Sequence, residues 1–266
     1  MMYREDFQPV YLTIHSLDMF APAKVNGRET LAHLDTGANA LTVTSRFAEG
    51  LPRTGRMKIR SAFGREESEV VSVNVEFMGE VFRDVEARVS DPQKPFPFEW
   101  GVRLGAREIF ARPIVFDFHV LAVLPAEAID GGNWQKVPSN FLEVGLCMLE
   151  MEAGVKSLNV LFDTGAGISV INGRHLKEMG ITVEPGFEMD VEDATGERRK
   201  VEAKVVRGLR LGGMEIPPFD AFVVSLGPVE EYLGHRIDVV FGANAMLRGG
   251  LRWLFDREKS RVLVME

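Results

Sequence analysis

Two stretches of this 266-residue sequence place an aspartate in the same short setting, Leu34-Asp35-Thr36-Gly37-Ala38 and Phe162-Asp163-Thr164-Gly165-Ala166. A lone Asp-Thr-Gly is a weak signal, because Asp and Gly are ordinary turn residues. Two such loops brought face to face have a definite chemistry. Carboxyls held close together cannot both ionise cheaply, so they share one proton. One then removes a proton from water while the other donates to a carbonyl oxygen, and a peptide bond is hydrolysed without a covalent intermediate. Within each loop Asp supplies a short carboxylate, Thr a bracing hydroxyl, and Gly room for a close backbone approach. Asp35 and Asp163 are therefore the candidate catalytic residues, with Thr36, Gly37, Ala38, Thr164, Gly165 and Ala166 as their loop support. Thr36 and Thr164 are expected to bond across to the opposite loop, and the amides of Gly37 and Gly165 to hold the carboxylates.

Such a pair requires two related halves, and the sequence contains one pattern twice. The first copy is FAPAKVNGRETLAHLDTGANALTVTSRFAEGL, residues 20–51, and the second is CMLEMEAGVKSLNVLFDTGAGISVINGRHLKEMGI, residues 147–181. Each shows an alternating segment, a turn, a short apolar run and then the Asp-Thr-Gly-Ala loop, with Asn26-Gly27 a strong hairpin signal. The likeness continues downstream: Gly105-Ala106 stands against Gly242-Ala243, and Phe116-Asp117 against Phe255-Asp256, the second copy being longer by what looks like a modest loop insertion. Between these landmarks Ala62-Phe63-Gly64-Arg65 precedes EVVSVNVEF, and Ala194-Thr195-Gly196-Glu197 precedes KVEAKVVRGLRLGG, each the pattern of a β-hairpin. The runs REIFAR, NAMLRG and RHLKEMG are the expected helical turns, and everything else is expected to be strand and loop. Asp130-Gly131-Gly132-Asn133 and Pro138-Ser139-Asn140 are turn-rich and mark a linker.

Composition narrows the alternatives. A chain that is 45% hydrophobic and 26% charged can bury a sizeable core, and a net charge of −8 spread along it argues against nucleic acid or an anionic membrane as partner. Cys147 is the only cysteine and is expected to be a small buried apolar residue; it excludes an internal disulfide and a thiolate zinc site. His15, His33, His119, His175 and His235 are scattered, none at metalloprotease spacing, so no metal is expected. Neither loop has the additional acidic residues of a phosphoryl-transfer site. Residues 1–17, MMYREDFQPVYLTIHSL, lack an apolar run long enough for a leader or span, which gives a cytoplasmic expectation, or an exported one had a signal been removed. Trp100, Trp134 and Trp253 are expected in core or lobe-interface packing, Asp117 and Asp256 in satisfying backbone at strand ends, and His33 as a partly exposed structural histidine.

With these residues in view, the sequence resembles the aspartic peptidase superfamily of pepsins and retroviral proteases. The contexts LDTGA and FDTGA are closer to the retropepsin style, and the small lobes agree. In that family an apolar-apolar-Gly segment packs beneath the catalytic loop. Val239-Val240-Phe241-Gly242 fits it, whereas Val102-Arg103-Leu104-Gly105 has an arginine where an apolar residue is expected. The resemblance implies an all-β, bilobal fold of closed β-barrel lobes related by pseudo-two-fold symmetry, here residues 1–128, a linker over 129–140, and residues 141–266. It also implies flaps over the cleft at Phe63-Gly64 and Thr195-Gly196. Retropepsins commonly have an acidic residue after the alanine, where this chain has Asn39 and Gly167. The implied function is a monomeric aspartic endopeptidase, without metal or organic cofactor, acting on an extended polypeptide with apolar residues around the cut. The alternative is a peptide-binding pseudo-protease of the same fold that has lost turnover.

Overall fold

The structure, a computed structural model, describes residues 3–4, 7–60, 65–92, 96–192 and 198–266. Alternation builds the first strands. Asp18–Val25 and Cys147–Ala153 each turn alternate side chains into a lobe interior, and each pairs antiparallel with the strand after its turn, Arg28–Leu34 and Lys156–Phe162. Asn26 and Gly27 make the first turn with φ of 49° and 76°, the left-handed pair that a tight hairpin demands.

In the N-terminal lobe eight strands form one sheet, and it closes on itself because Arg65–Phe77, paired with Glu80–Val89 in the run of the sheet, also pairs with Asp18–Val25, through Lys24↔Glu76 and Val25↔Val75. The C-terminal lobe closes at the matching place by a different device. Its long strand breaks at Gly208, where φ is +81°, into Arg198–Arg207, which pairs Thr182–Glu192, and Leu209–Leu211, which pairs Cys147–Ala153. The fold is all-β and bilobal, as expected, with each lobe's sheet curled around an apolar interior.

A third sheet, not anticipated from the sequence, is shared by the two halves. Its six strands run in the order Val10–Tyr11, Ala122–Pro125, Ile114–Asp117, Arg252–Asp256, Arg261–Met265 and Gln135–Val137. The turn-rich linker thus contributes a strand to it. The central pairing, Ile114–Asp117 against Arg252–Asp256, joins the end of one lobe to the end of the other. Beneath it Phe110, Phe116, Phe162, Trp253 and Phe255 pack together, with Phe162 and Phe255 ring centroids 4.7 Å apart. Since Phe162 immediately precedes Asp163, this aromatic core fixes the base of the second loop.

Short helices occupy Ala106–Ile109, Leu176–Met179 and Ala243–Gly249, at the three expected runs. A fourth, Gly227–Leu233, falls where only strand and loop were expected; Pro228 in its first turn and Gly234 in the left-handed region at its end define it. No helix among the described residues is long and apolar enough to cross a membrane. The greater length of the second copy is not a single loop: its first hairpin arm alone has 11 residues against 8. Trp100 and Trp253 are buried and Cys147 is fully enclosed, which pushes its thiol well up. Trp134 departs from its expected packing role: it sits half-buried on the linker and donates to the Gly131 carbonyl.

Asp117 and Asp256 both receive backbone amides, from His119 and from Lys259. Asp117 is wholly buried and also accepts from Tyr3 Oη at 2.7 Å and Arg252 Nε at 2.6 Å, across the shared sheet. Burial alone would push the Asp117 carboxyl up, but the bonds from Arg252 and Tyr3 outweigh it and hold the group below its ordinary value. Asp117→Ala leaves Arg252 and Tyr3 without their acceptor and should lower the free energy of unfolding by about 3 kcal/mol. Asp117→Asn, which keeps the shape, should cost less; denaturant titration of both variants checks the order.

Candidate active site

Each Asp-Thr-Gly loop leaves the end of a strand clamped in parallel to a later one: Arg28–Leu34 beside Val102–Leu104, and Lys156–Phe162 beside Val239–Phe241. The clamps are equivalent in detail, since Asp35 N–H donates to Leu104 O and Asp163 N–H to Phe241 O, both at 3.0 Å. Below the loops, the amides of Ala106 and Ala243 donate to the carbonyls of Ala38 and Ala166, both at 2.8 Å. This contact explains the glycines before each helix. A Cβ at Gly105 or Gly242 would stand within 3.0 Å of those same carbonyl oxygens.

The loops then interlock. Thr36 N–H donates to Thr164 Oγ1 at 3.1 Å and Thr164 N–H donates to Thr36 Oγ1 at 2.9 Å. Each hydroxyl in turn donates to a carbonyl of the other lobe, Thr36 to Phe162 O at 3.0 Å and Thr164 to Leu34 O at 2.7 Å. Both threonines are fully buried, so no water competes for these bonds. The glycines face the opposite aspartates. A Cβ added to Gly37 would fall within 3.0 Å of the Asp163 carboxyl, and one added to Gly165 within 3.0 Å of the Asp35 carboxyl. The structure thus brings together Asp35, Thr36, Gly37, Ala38, Asp163, Thr164, Gly165 and Ala166, the residues the sequence singled out.

Electrostatics follow from this crowding. Burial, and next the charge of Asp35, push the Asp163 carboxyl up to about 7, against the pull of the Gly165, Ala166 and Gly37 amides. Gly165 N–H donates to Asp163 Oδ1 at 2.9 Å and Ala166 N–H at 3.2 Å. Two carboxyls so placed can move protons in both directions around one small molecule.

The two sides of the pair are not alike. Arg103 Nε lies 3.7 Å from Asp35 Oδ2 and donates to His33 Nδ1 at 3.1 Å. His33, expected to be partly exposed, is buried at 5% relative exposure, because Phe20, Trp100 and the strand pairing enclose it. Phe96 and Phe98 continue that aromatic wall against Phe20. Asn39 donates to Tyr232 Oη at 2.8 Å, so the unexpected helix Gly227–Leu233 reaches from one lobe to the loop of the other. Its Gly-Pro start, acidic first turn and closing glycine were the sequence signals for it. Phe63, Gly64, Thr195 and Gly196 lie outside the described residues; the hairpin arms that lead to them are paired as far as Arg60↔Arg65 and Glu192↔Arg198. Among the described residues no group of His, Cys, Asp and Glu is arranged to hold a metal ion.

The family described as aspartyl protease matches this sequence over residues 21–104 and 149–245. The chain belongs to the aspartyl protease family. The match falls in two segments, and each contains one Asp-Thr-Gly loop together with the strand that clamps it, so the aspartyl protease pattern occurs twice in a single chain. A search of curated proteins found no match.

In this member of the aspartyl protease family the threonine grip sets the lobe contact. Thr36→Val keeps the side-chain shape but strips two cross-lobe bonds, leaving the Thr164 amide and Phe162 carbonyl unpaired in a dry contact. A loss of about 2–4 kcal/mol in unfolding free energy is expected for Thr36→Val and for Thr164→Val. The double variant should lose less than the two singles together, because they share the same contact; denaturant unfolding of all three checks both statements.

Proposed function

We propose that the chain is an aspartic endopeptidase that hydrolyses peptide bonds with water activated between Asp35 and Asp163. The observation that carries this reading is the reciprocal approach of Gly37 to the Asp163 carboxyl and of Gly165 to the Asp35 carboxyl, which sets the two acids against each other at one point. Membership of the aspartyl protease family supports it from the sequence side. A water held by the pair gives its proton to the ionised carboxyl as its oxygen attacks the scissile carbonyl carbon. The neutral carboxyl protonates the carbonyl oxygen. The tetrahedral diol then collapses: its C–N bond breaks, the departing nitrogen takes up the proton just acquired from water, and one diol hydroxyl returns its proton to the other carboxylate as the C=O bond reforms, which leaves a carboxylic acid and restores the pair.

The proposed substrate is a polypeptide in extended conformation lying between the lobes, its main chain paired with the hairpins Arg53–Arg60/Arg65–Phe77 and Thr182–Glu192/Arg198–Arg207. Both loops are in one chain, so a monomer suffices to build the pair. The acidic net charge of −8 favours neither nucleic acid nor an anionic membrane.

Asp35→Asn and Asp163→Asn should each reduce cleavage of a mixed peptide library by a factor of at least about a thousand while leaving the protein folded, since the acids act as one unit. Cleavage near wild-type rates in either variant would refute the shared pair. A wild-type protein that binds peptides and cuts none would instead identify a pseudo-protease with the same cleft.

A further inference from the structure

The carboxyl pair is built with a fixed polarity, and the device lies on one side only. His33 and Arg103 are direct cross-strand neighbours in the N-terminal lobe; the corresponding neighbours in the C-terminal lobe are Leu161 and Val240. Phe20 opposite His33 is matched by Met148 opposite Leu161, and two residues before these stand Asp18 and Leu146. Three polar positions beside Asp35 are therefore apolar beside Asp163.

The polar side forms a chain. Arg103 Nε donates to His33 Nδ1 at 3.1 Å, so neutral His33 carries its proton on Nε2. That nitrogen is buried and makes no hydrogen bond; Asp18 Oδ1 lies 3.4 Å from it, close enough to act as a charge. Arg103 is packed near the Trp100 ring, at 6.0 Å from its centroid. With Nε–H directed at His33, the guanidinium acts on Asp35 chiefly as a charge, 3.7 Å from Oδ2. Other charged groups face this corner from the neighbouring elements. Arg88 is engaged one strand away on Thr42 Oγ1 at 2.7 Å. Glu108, on the helix below, accepts from the Gly105 amide, and burial pushes its carboxyl up, towards the neutral form. Asp163 itself completes the set. Arg103 thus places a cation directly against the pair, 3.7 Å from Asp35 Oδ2.

We infer that Arg103, oriented by its hydrogen bond to His33, is a positioning residue that keeps Asp35 in its charged form, so that the shared proton resides on Asp163 and the two acids enter the reaction with assigned roles, Asp35 as base and Asp163 as acid. An opposite charge at this separation favours a carboxylate over its protonated form. Symmetric surroundings, as Leu161 and Val240 would give on both sides, carry no such preference. The direction of the Asp163 shift agrees with this assignment. The roles of base and acid rest on the peptidase reading above; the location of the proton does not.

The test reads the proton directly. In protein labelled with carboxyl-13C aspartate, the resonances of the pair are assigned with Asp35→Asn and Asp163→Asn and followed between about pH 3 and pH 8. The wild-type protein should show Asp35 ionised and Asp163 protonated around pH 5. Arg103→Val, the residue the other lobe uses, should raise the Asp35 midpoint by about one pH unit or more. Arg103→Lys should restore most of the difference, and His33→Leu should give an intermediate shift. A wild-type pair with the proton on Asp35, or an Arg103→Val titration unchanged from wild type, overturns the inference; the first of these needs no variant of Arg103 to fold. In peptide hydrolysis, the acid limb of the kcat/KM profile should move up with the same substitution. A titration as predicted in a protein that cleaves no peptide would sink the peptidase reading and leave the proton assignment standing.

Discussion

Two threonine hydroxyls, each accepting an amide and donating to a carbonyl of the opposite lobe, hold the whole site in place. The four bonds of Thr36 and Thr164 lie in a contact without water and bind together the ends of strands 128 positions apart. Any slippage there would leave buried amides and carbonyls unpaired, which is costly in a dry contact. With the register of the loops fixed, Gly37 and Gly165 have no freedom but to face the carboxyls of Asp163 and Asp35. The crowding that follows makes two ordinary acids into a coupled pair.

Around that contact the halves are related but not identical. The clamping strands, the alanine carbonyl bonds and the glycine-started helices repeat in both lobes. What differs is what a homodimer could not supply. The first lobe places Arg103 and His33 beside its aspartate, and the second extends the helix Gly227–Leu233 towards Asn39. A pattern that occurs twice in one chain lets its two halves differ, and here the difference reaches the surroundings of the two aspartates. The shared six-stranded sheet lets the lobes diverge without separating, since its central strands come from both.

Much of this was legible in the sequence because the signals are local. Alternation gave the strands around Asn26-Gly27, the doubled Asp-Thr-Gly-Ala gave the loops, and the glycines at 105 and 242 gave the helices beneath. The remaining features depend on pairings between distant segments. That His33 lies beside Arg103 follows from a parallel register between strands some 70 positions apart, as the pair's own separation shows, and no local pattern announces it. The burial of His33 was hidden because Trp100, which with Phe20 covers it, is distant in sequence and neighbours it only in the fold. The shared sheet was hidden for the same reason, as its strands come from three parts of the chain. The helix Gly227–Leu233 was hidden differently: its caps are present, but over seven residues only Val229 and Leu233 pack against the core, too few apolar positions for a helical period to stand out.

The central claim is that folding makes Asp35 and Asp163 share a proton, and its most direct test is stability measured against pH. Unfolded, the Asp163 carboxyl releases its proton near 3.8; folded, it holds on until about 7. Across that window the native state binds the extra proton, so the contribution of Asp163 to wild-type stability falls as pH rises, and Asp163→Asn has no such proton to lose. The unfolding free energy of Asp163→Asn minus that of wild type should therefore grow from about pH 4 to about pH 7, by up to ~1.4 kcal/mol per pH unit. A difference that stays flat over this range would contradict the account.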